Sequence, residues 1–213
     1  MSKIEELIEG LCPEGVEFRR LGEVCEDTQN IRWKFTESSF KYIDLASVDL
    51  QTHTIKETIT IDADTAPSRA QQIVRTGDVI FATTRPTQMR VCRINEDYDG
   101  QICSTGFCVL RPKKDFVLST WLNHVLSTGN FKEYLNNKQT IGNYPSISNK
   151  LLMDFLIPIL PLPVQHRIAE TLDKFEALTS DLQSGLPAEI EARRKQYEYY
   201  RDRLLSFKVK SEE

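Results

Sequence analysis

The chain has 213 residues, 40% hydrophobic and 27% charged, which suits one folded domain with an extension, or two small units. No apolar run approaches the roughly 20 residues of a membrane-spanning helix, and the start, Met1-Ser2-Lys3-Ile4-Glu5-Glu6, lacks a signal-peptide layout, so a cytoplasmic protein is expected. The formal net charge of −4 excludes a uniformly basic surface but not a locally basic one.

Residues 4–11 form a short amphipathic helix candidate, stopped by the turn signal Cys12-Pro13-Glu14-Gly15. Residues 1–64 carry 14 acids against 7 bases. Segments with strand character follow at 18–21, 40–45, 58–61, 78–82, 89–94 and 106–110, separated by turns that carry Gly77, Pro86, Asp99-Gly100 and Pro112. Across residues 67–94 the balance reverses: Arg69, Arg75, Arg85, Arg90 and Arg93 stand against Asp78 alone. Residues 121–126 and 131–135 space their apolar side chains by three and four, as helices do. In residues 116–150, Lys132, Lys138 and Lys150 outnumber Glu133. The pattern predicts an α+β domain over residues 1–160 with a mixed or antiparallel sheet. Cys12, Cys25, Cys92, Cys103 and Cys108 are odd in number and irregularly spaced. Only Cys103 and Cys108 lie close, with no histidine nearby, so reduced, mostly buried thiols are expected rather than a metal site.

The run Ile157-Pro158-Ile159-Leu160-Pro161-Leu162-Pro163 is too proline-dense for a helix interior and predicts an extended connector. Beyond it, residues 161–213 read as helical. Ile168, Phe175 and Leu182 are seven apart, with Leu172 on the same face. After the interruption Ser184-Gly185-Leu186-Pro187, the positions Ile190, Tyr197 and Leu204 repeat the spacing, joined by Tyr200 and Phe207. Two helices, or one sharply kinked helix, fit equally well. Their apolar stripe needs a partner surface: the first domain, a hairpin mate, or another chain. Arg193-Arg194-Lys195, flanked by Glu189, Glu191 and Glu198, reads as a solvated helix face.

Several strings resemble one family. PLPVQHRIAETLDKFEALTSDLQSGLPAEIEARRKQYEYYRDRLLSF (161–207) is similar to the conserved helical region of type I restriction specificity (S) subunits. RTGDVIFATTRPTQMRVCRI (75–94) and STGFCVLRPK (104–113) resemble motifs of their target-recognition domains, and CPEGVEFRRLGEVCE (12–26) resembles the domain start. The resemblance implies a non-catalytic DNA-specificity protein that binds double-stranded DNA and works with methyltransferase (M) and restriction (R) subunits. Family members carry two recognition domains and two helical regions. Here neither GDVIFATTRP nor GLPAEIEARRKQYEYYRD recurs, so the chain resembles a half-length form. A homodimer would restore the pseudo-twofold arrangement, with Ile168, Leu172, Phe175, Leu182, Ile190, Tyr197, Tyr200, Leu204 and Phe207 as its interface. The alternative is an assembly module, or inactive cassette, that binds M without reading DNA.

The chemistry of an enzyme is not evident. The sequence has no Asn/Asp-Pro-Pro-aromatic string, the nearest fragment being Asn143-Tyr144-Pro145, and no phosphate-cradling Gly-x4-Gly-Lys-Ser/Thr loop. No cofactor is therefore expected. Base readout needs hydrogen-bonding side chains supported by phosphate contacts. Residues 83–90 offer Thr84, Arg85, Thr87, Gln88 and Arg90. Residues 138–148 offer Gly142, Asn143 and Tyr144, with Gly142 free to adopt positive φ. Each stretch can also be read as a plain polar turn.

Overall fold

The computed structural model describes residues 10, 12, 15–180 and 187–207, with the backbone path alone for 178–180 and 187–190. The helix expected at 4–11 lies almost wholly outside the described residues, as do Leu182 and Ser184-Gly185-Leu186.

Strand periodicity sets the layers. Strand β6 (Val79–Ala82) is buried along its whole length. It pairs antiparallel with β7 (Val91–Arg93) on one side and β9 (Phe107–Pro112) on the other; β9 then takes β2 (Cys25–Glu26). Val79, Phe81, Val91, Cys108 and Leu110 face one core, while Ile80, Ala82, Cys92, Phe107 and Val109 face another. This is the two-residue alternation of a sheet covered on both sides.

The second sheet runs β4 (Ile59–Ile61), β3 (Phe40–Ile43), β8 (Ile102–Ser104), β5 (Ala70–Ile73), with β3 and β8 parallel. Ile43 and Cys103 fill the space between the sheets. Tyr42, Ile61, Ala70 and Ile102 form a small outer core under Trp33 and Phe40, and the Trp33 indole N–H donates to the Ala70 carbonyl at 2.7 Å.

Helices cover the other face of the first sheet: α1 (Leu21–Val24), α2 (Ser119–Val125), α3 (Gly129–Lys138) and α4 (Asn149–Met153). Phe131 packs edge-on to Phe81 at 5.0 Å between ring centroids and lies 4.7 Å from Phe155. Each such fully buried side chain stabilises the fold by about 1.5–3 kcal/mol. Thr128 and Ser148 cap α3 and α4, accepting from the backbone N–H of Phe131 and Leu151. The predicted α+β architecture with sheet and helical layers is the one observed.

The proline-rich segment is not wholly a connector. Ile157 and Pro158 belong to β10 (Leu156–Ile159), paired antiparallel with β1 (Glu17–Arg20) in a two-stranded ribbon, where a residue without an N–H is tolerated on an edge. Pro163 sits in the first turn of α5 (Leu162–Ser180), the part of a helix that tolerates proline.

Helix α5 begins inside the same core, across the boundary expected at residue 160. Ile168, Ala169 and Leu172 are buried. The Gln165 amide, fully buried, accepts from Leu118 N–H at 3.0 Å and donates to the carbonyls of Phe116 (2.7 Å) and Leu160 (2.8 Å). A second helix, α6 (Pro187–Leu204), turns back along α5, with Tyr200 stacked on Phe175 at 6.4 Å. Its end returns to the domain: Leu204 and Leu205 are buried, Phe207 lies 6.1 Å from the Trp121 ring, and Asp202 accepts from Gly129 N–H at 3.3 Å.

The seam is thus largely used within the chain, against two of the three surfaces the stripe could take, the first domain and the hairpin mate. Ile168, Leu172 and Leu204 are in the core, and Tyr197 and Phe207 pack against it. Phe175 stays 40% exposed. The side chain of Ile190 lies outside the described residues. Among the described residues, no helix is long and apolar enough to cross a membrane. Cys25, Cys92, Cys103 and Cys108 are buried, one on each of β2, β7, β8 and β9, and all five cysteines are free.

Candidate nucleic-acid interface

Strand β6 ends at Ala82 and delivers the arginine-rich loop. Its entry is braced from below by a buried pair: Arg111 donates to both Asp78 carboxylate oxygens, at 2.9 and 2.7 Å, and Asp78 also accepts from Arg75 N–H at 2.8 Å. The carboxylate holds the Arg111 guanidinium above its usual range. Such a forked pair fixes both strands in register.

Thr83 N–H and hydroxyl both donate to the Gly106 carbonyl, at 2.9 and 3.0 Å. The chain then makes one tight turn, Pro86–Gln88, flanked by Arg85 at φ 50° and Met89 at φ 55°. Left-handed conformations at two non-glycine residues are costly and persist only where surrounding contacts impose them. Here the contacts are Gln88 N–H to Arg85 O (3.0 Å), Met89 N–H to Pro86 O (2.9 Å) and the burial of Pro86.

The second candidate loop lies directly against the first. Thr84 and Ser146 form an antiparallel bridge, Arg85 N–H donates to Pro145 O at 2.7 Å, and Ile147 N–H donates to Thr83 O at 2.9 Å. Thr140 ties off this loop, its hydroxyl accepting from Ser146 N–H at 2.9 Å. The arginine-rich loop and residues 140–147 therefore make one surface. At its top the Arg85 guanidinium lies over the Tyr144 ring, 5.4 Å from the centroid, with Tyr144 74% exposed. Gln88, Gly142 and Asn143 are exposed beside them, and Thr84 and Thr87 are half-buried. Gly142, at φ 152°, takes a conformation that other residues rarely adopt.

Arg90 departs from expectation. Its guanidinium points inward and donates to the carbonyls of Leu45 and Val48, holding the turn after β3 against β7. It is a brace, not a presented cation. Ile141, by contrast, is a residue that the polar reading of this loop passed over. It is fully exposed, and its signal was a lone aliphatic side chain between Thr140 and Gly142. A guanidinium held over an aromatic ring can still offer N–H donors to a phosphate or a guanine edge. The neighbouring amides of Gln88 and Asn143 have the donor and acceptor pair that adenine requires.

Residues 13–192 match the family model described as "Type I restriction modification DNA specificity domain". Among curated proteins, the chain is 44% identical over 91 residues to the type I restriction enzyme EcoR124I/EcoR124II specificity subunit of Escherichia coli, covering 43% of this chain and 22% of that protein. It is 32% identical over 110 residues to the MpnII specificity subunit of Mycoplasma pneumoniae, covering 51% of this chain and 32% of that one. Among solved structures, it resembles the HsdS subunit from Thermoanaerobacter tengcongensis with a TM-score of 0.71 and 36% identity, over 89% of this chain and 47% of that chain. A structure reported on complex assembly and conformational transition of the type I R-M system gives a TM-score of 0.70 and 34% identity, over 88% and 46%. The chain spans about half the length of those solved chains and less of the curated relatives.

Proposed function

The chain belongs to the type I restriction–modification DNA specificity family, and from that premise we propose that it is a non-catalytic subunit reading one half-site of a bipartite DNA target. The observation that carries this reading is the joining of two polar loops into one surface with Arg85 stacked on Tyr144 at its top. Arg85, Gln88, Asn143 and Tyr144 are the proposed base- and backbone-contacting side chains, with Thr84 and Thr87 directed to phosphate. Recognition is assigned to residues 1–160 and spacing to the helices that follow, although the packing is continuous between them. Methyl transfer and cleavage fall to M and R partners.

A half-site reader needs a second half. Homodimerisation supplies it, and among the described residues the large apolar side chains that the hairpin leaves exposed for it are Phe175 and Tyr199, 40% and 58% exposed, rather than the buried Ile168, Leu172 and Leu204. Two identical domains about a twofold axis imply an inverted target around an unread spacer.

The test is selection of bound duplexes from a random library by the chain with its M subunit. An inverted bipartite site that is lost in an Arg85→Ala, Gln88→Ala variant supports the reading. Stable assembly with M, with site preference and salt dependence unchanged in that variant, would establish the assembly-module alternative instead.

A further inference from the structure

The tip of the 140–147 loop carries a side chain that the polar contacts proposed above do not use. Ile141 is fully exposed, more so than any other large apolar side chain among the described residues, and it packs into none of the three cores. Single exposed aliphatic groups are ordinary on protein surfaces, but this one stands where the chain is tied down. Thr140 N–H donates to Ser146 O at 2.8 Å, and Ser146 N–H donates back to the Thr140 hydroxyl at 2.9 Å. Arg85 N–H holds Pro145 O from the neighbouring loop at 2.7 Å. The neck of the loop is therefore closed, and Ile141, Gly142, Asn143 and Tyr144 stand beyond it, all exposed.

Gly142 sets what this tip presents. The space that a Cβ would take there is open, so it is the φ of 152°, not crowding, that calls for glycine. The bare backbone lets the tip approach another surface closely, with an aliphatic group, Ile141, on one side in sequence and an amide, Asn143, on the other. In the major groove an A·T pair displays the adenine N7 acceptor and N6 donor, the thymine O4 acceptor and the thymine 5-methyl group. That methyl is the apolar feature of the base-pair edge there. An amide that takes the adenine edge leaves the methyl of the same pair for an apolar neighbour.

We propose that Ile141 is a specificity-determining residue that rests on the 5-methyl group of a thymine in the half-site, a contact that depends on the DNA-reading function proposed above. The surface that carries Ile141 also presents Arg85, Gln88 and Asn143. A lone aliphatic side chain in that company matches one methyl among polar base edges. It offers little of the contiguous apolar area on which a protein interface is centred. Specificity at that position then comes from the fit of an apolar group as well as from hydrogen bonds, and a cytosine there, which lacks the methyl, is disfavoured.

The probe is the set of duplexes selected by the full chain with its M subunit, each thymine of the half-site being replaced in turn by deoxyuridine. That exchange removes the methyl and keeps every hydrogen-bonding group. One replacement should weaken binding about fourfold, the effect of one buried methyl group. Ile141→Ala should bind the unmodified duplex more weakly by about the same factor or more and be indifferent to that replacement, so that the two changes are not additive. Because Ile141 packs into no core, the variant should keep the wild-type denaturation midpoint. The proposal is overturned if the selected half-site holds no thymine, if no replacement weakens binding, if the loss persists in Ile141→Ala, or if Ile141→Ala weakens assembly with M in the absence of DNA. Where selection still depends on Arg85 and Gln88, those outcomes remove the thymine contact alone. Failure to select any half-site removes the DNA-reading function and this contact with it.

Discussion

Arg85 and Tyr144 belong to different loops, yet the guanidinium carbon sits 5.4 Å from the ring centroid, and the Arg85 N–H donates to Pro145 O. One residue is held by the other loop through both backbone and side chain. Arg85→Ala removes the presented cation without touching that backbone bond. In the complex with M, it should lower affinity for the preferred duplex by about 1–3 kcal/mol if a guanine is read. If Arg85 meets only phosphate, affinity falls alike on all duplexes and the salt slope drops by about one. Tyr144→Ala should give a smaller loss, of about 0.5–1 kcal/mol, because it frees the guanidinium without deleting it. Fluorescence anisotropy over a salt series separates these outcomes.

Arg90 should behave oppositely. Its guanidinium is committed to the carbonyls of Leu45 and Val48. Arg90→Ala strands two acceptors in a half-buried site, and the expected cost is about 1.5–3 kcal/mol of stability. Urea denaturation should show the fall, while site preference of the folded fraction remains that of the wild-type chain. A normal denaturation midpoint combined with altered site preference would return Arg90 to the readout surface.

The alternating apolar segments were legible in sequence because burial on both sheet faces leaves a period-2 trace. Residues 78–82 and 89–94 were read close to their strand bounds, Val79–Ala82 and Val91–Arg93. Strands β5 and β8 were not. β5 carries Gln71 and Gln72, and the buried Gln72 amide is satisfied by the carbonyls of Ser104 and Phe107, 2.9 Å away in each case. A polar residue paid for by distant carbonyls looks like a loop in sequence. Both candidate loops are visible from their composition, but their meeting is not, because the Thr84–Ser146 bridge is a long-range contact. Arg90 misled for the same reason: nothing local distinguishes an arginine that braces from one that presents.

Gln165 offers a third test. Its amide joins the Leu118 N–H to the carbonyls of Phe116 and Leu160, tying the first turn of α5 to the segment before α2. Gln165→Leu keeps the volume but leaves a buried donor and two acceptors unpaired. A loss of about 2–4 kcal/mol is expected, and hydrogen exchange at the Leu118 amide should accelerate. A neutral result would mean that water enters and takes over the bonds.

Burial pushes the Cys108 thiol up to about 12 and that of Cys25 likewise to about 12. A thiol raised in the folded state stabilises fully where both states are protonated, below its unfolded value near 9. That contribution is lost as pH climbs from about 9 towards 12, because the unfolded chain ionises first. From pH 8 to pH 10 each such thiol should cost about 1.4 kcal/mol. Other groups titrate over the same range, so the decisive quantity is the stability of the wild-type chain minus that of Cys108→Ala at each pH. That difference should shrink by this amount between pH 8 and pH 10 in urea titrations. A pH-independent difference would mean that the Cys108 thiol ionises alike in the folded and unfolded chains.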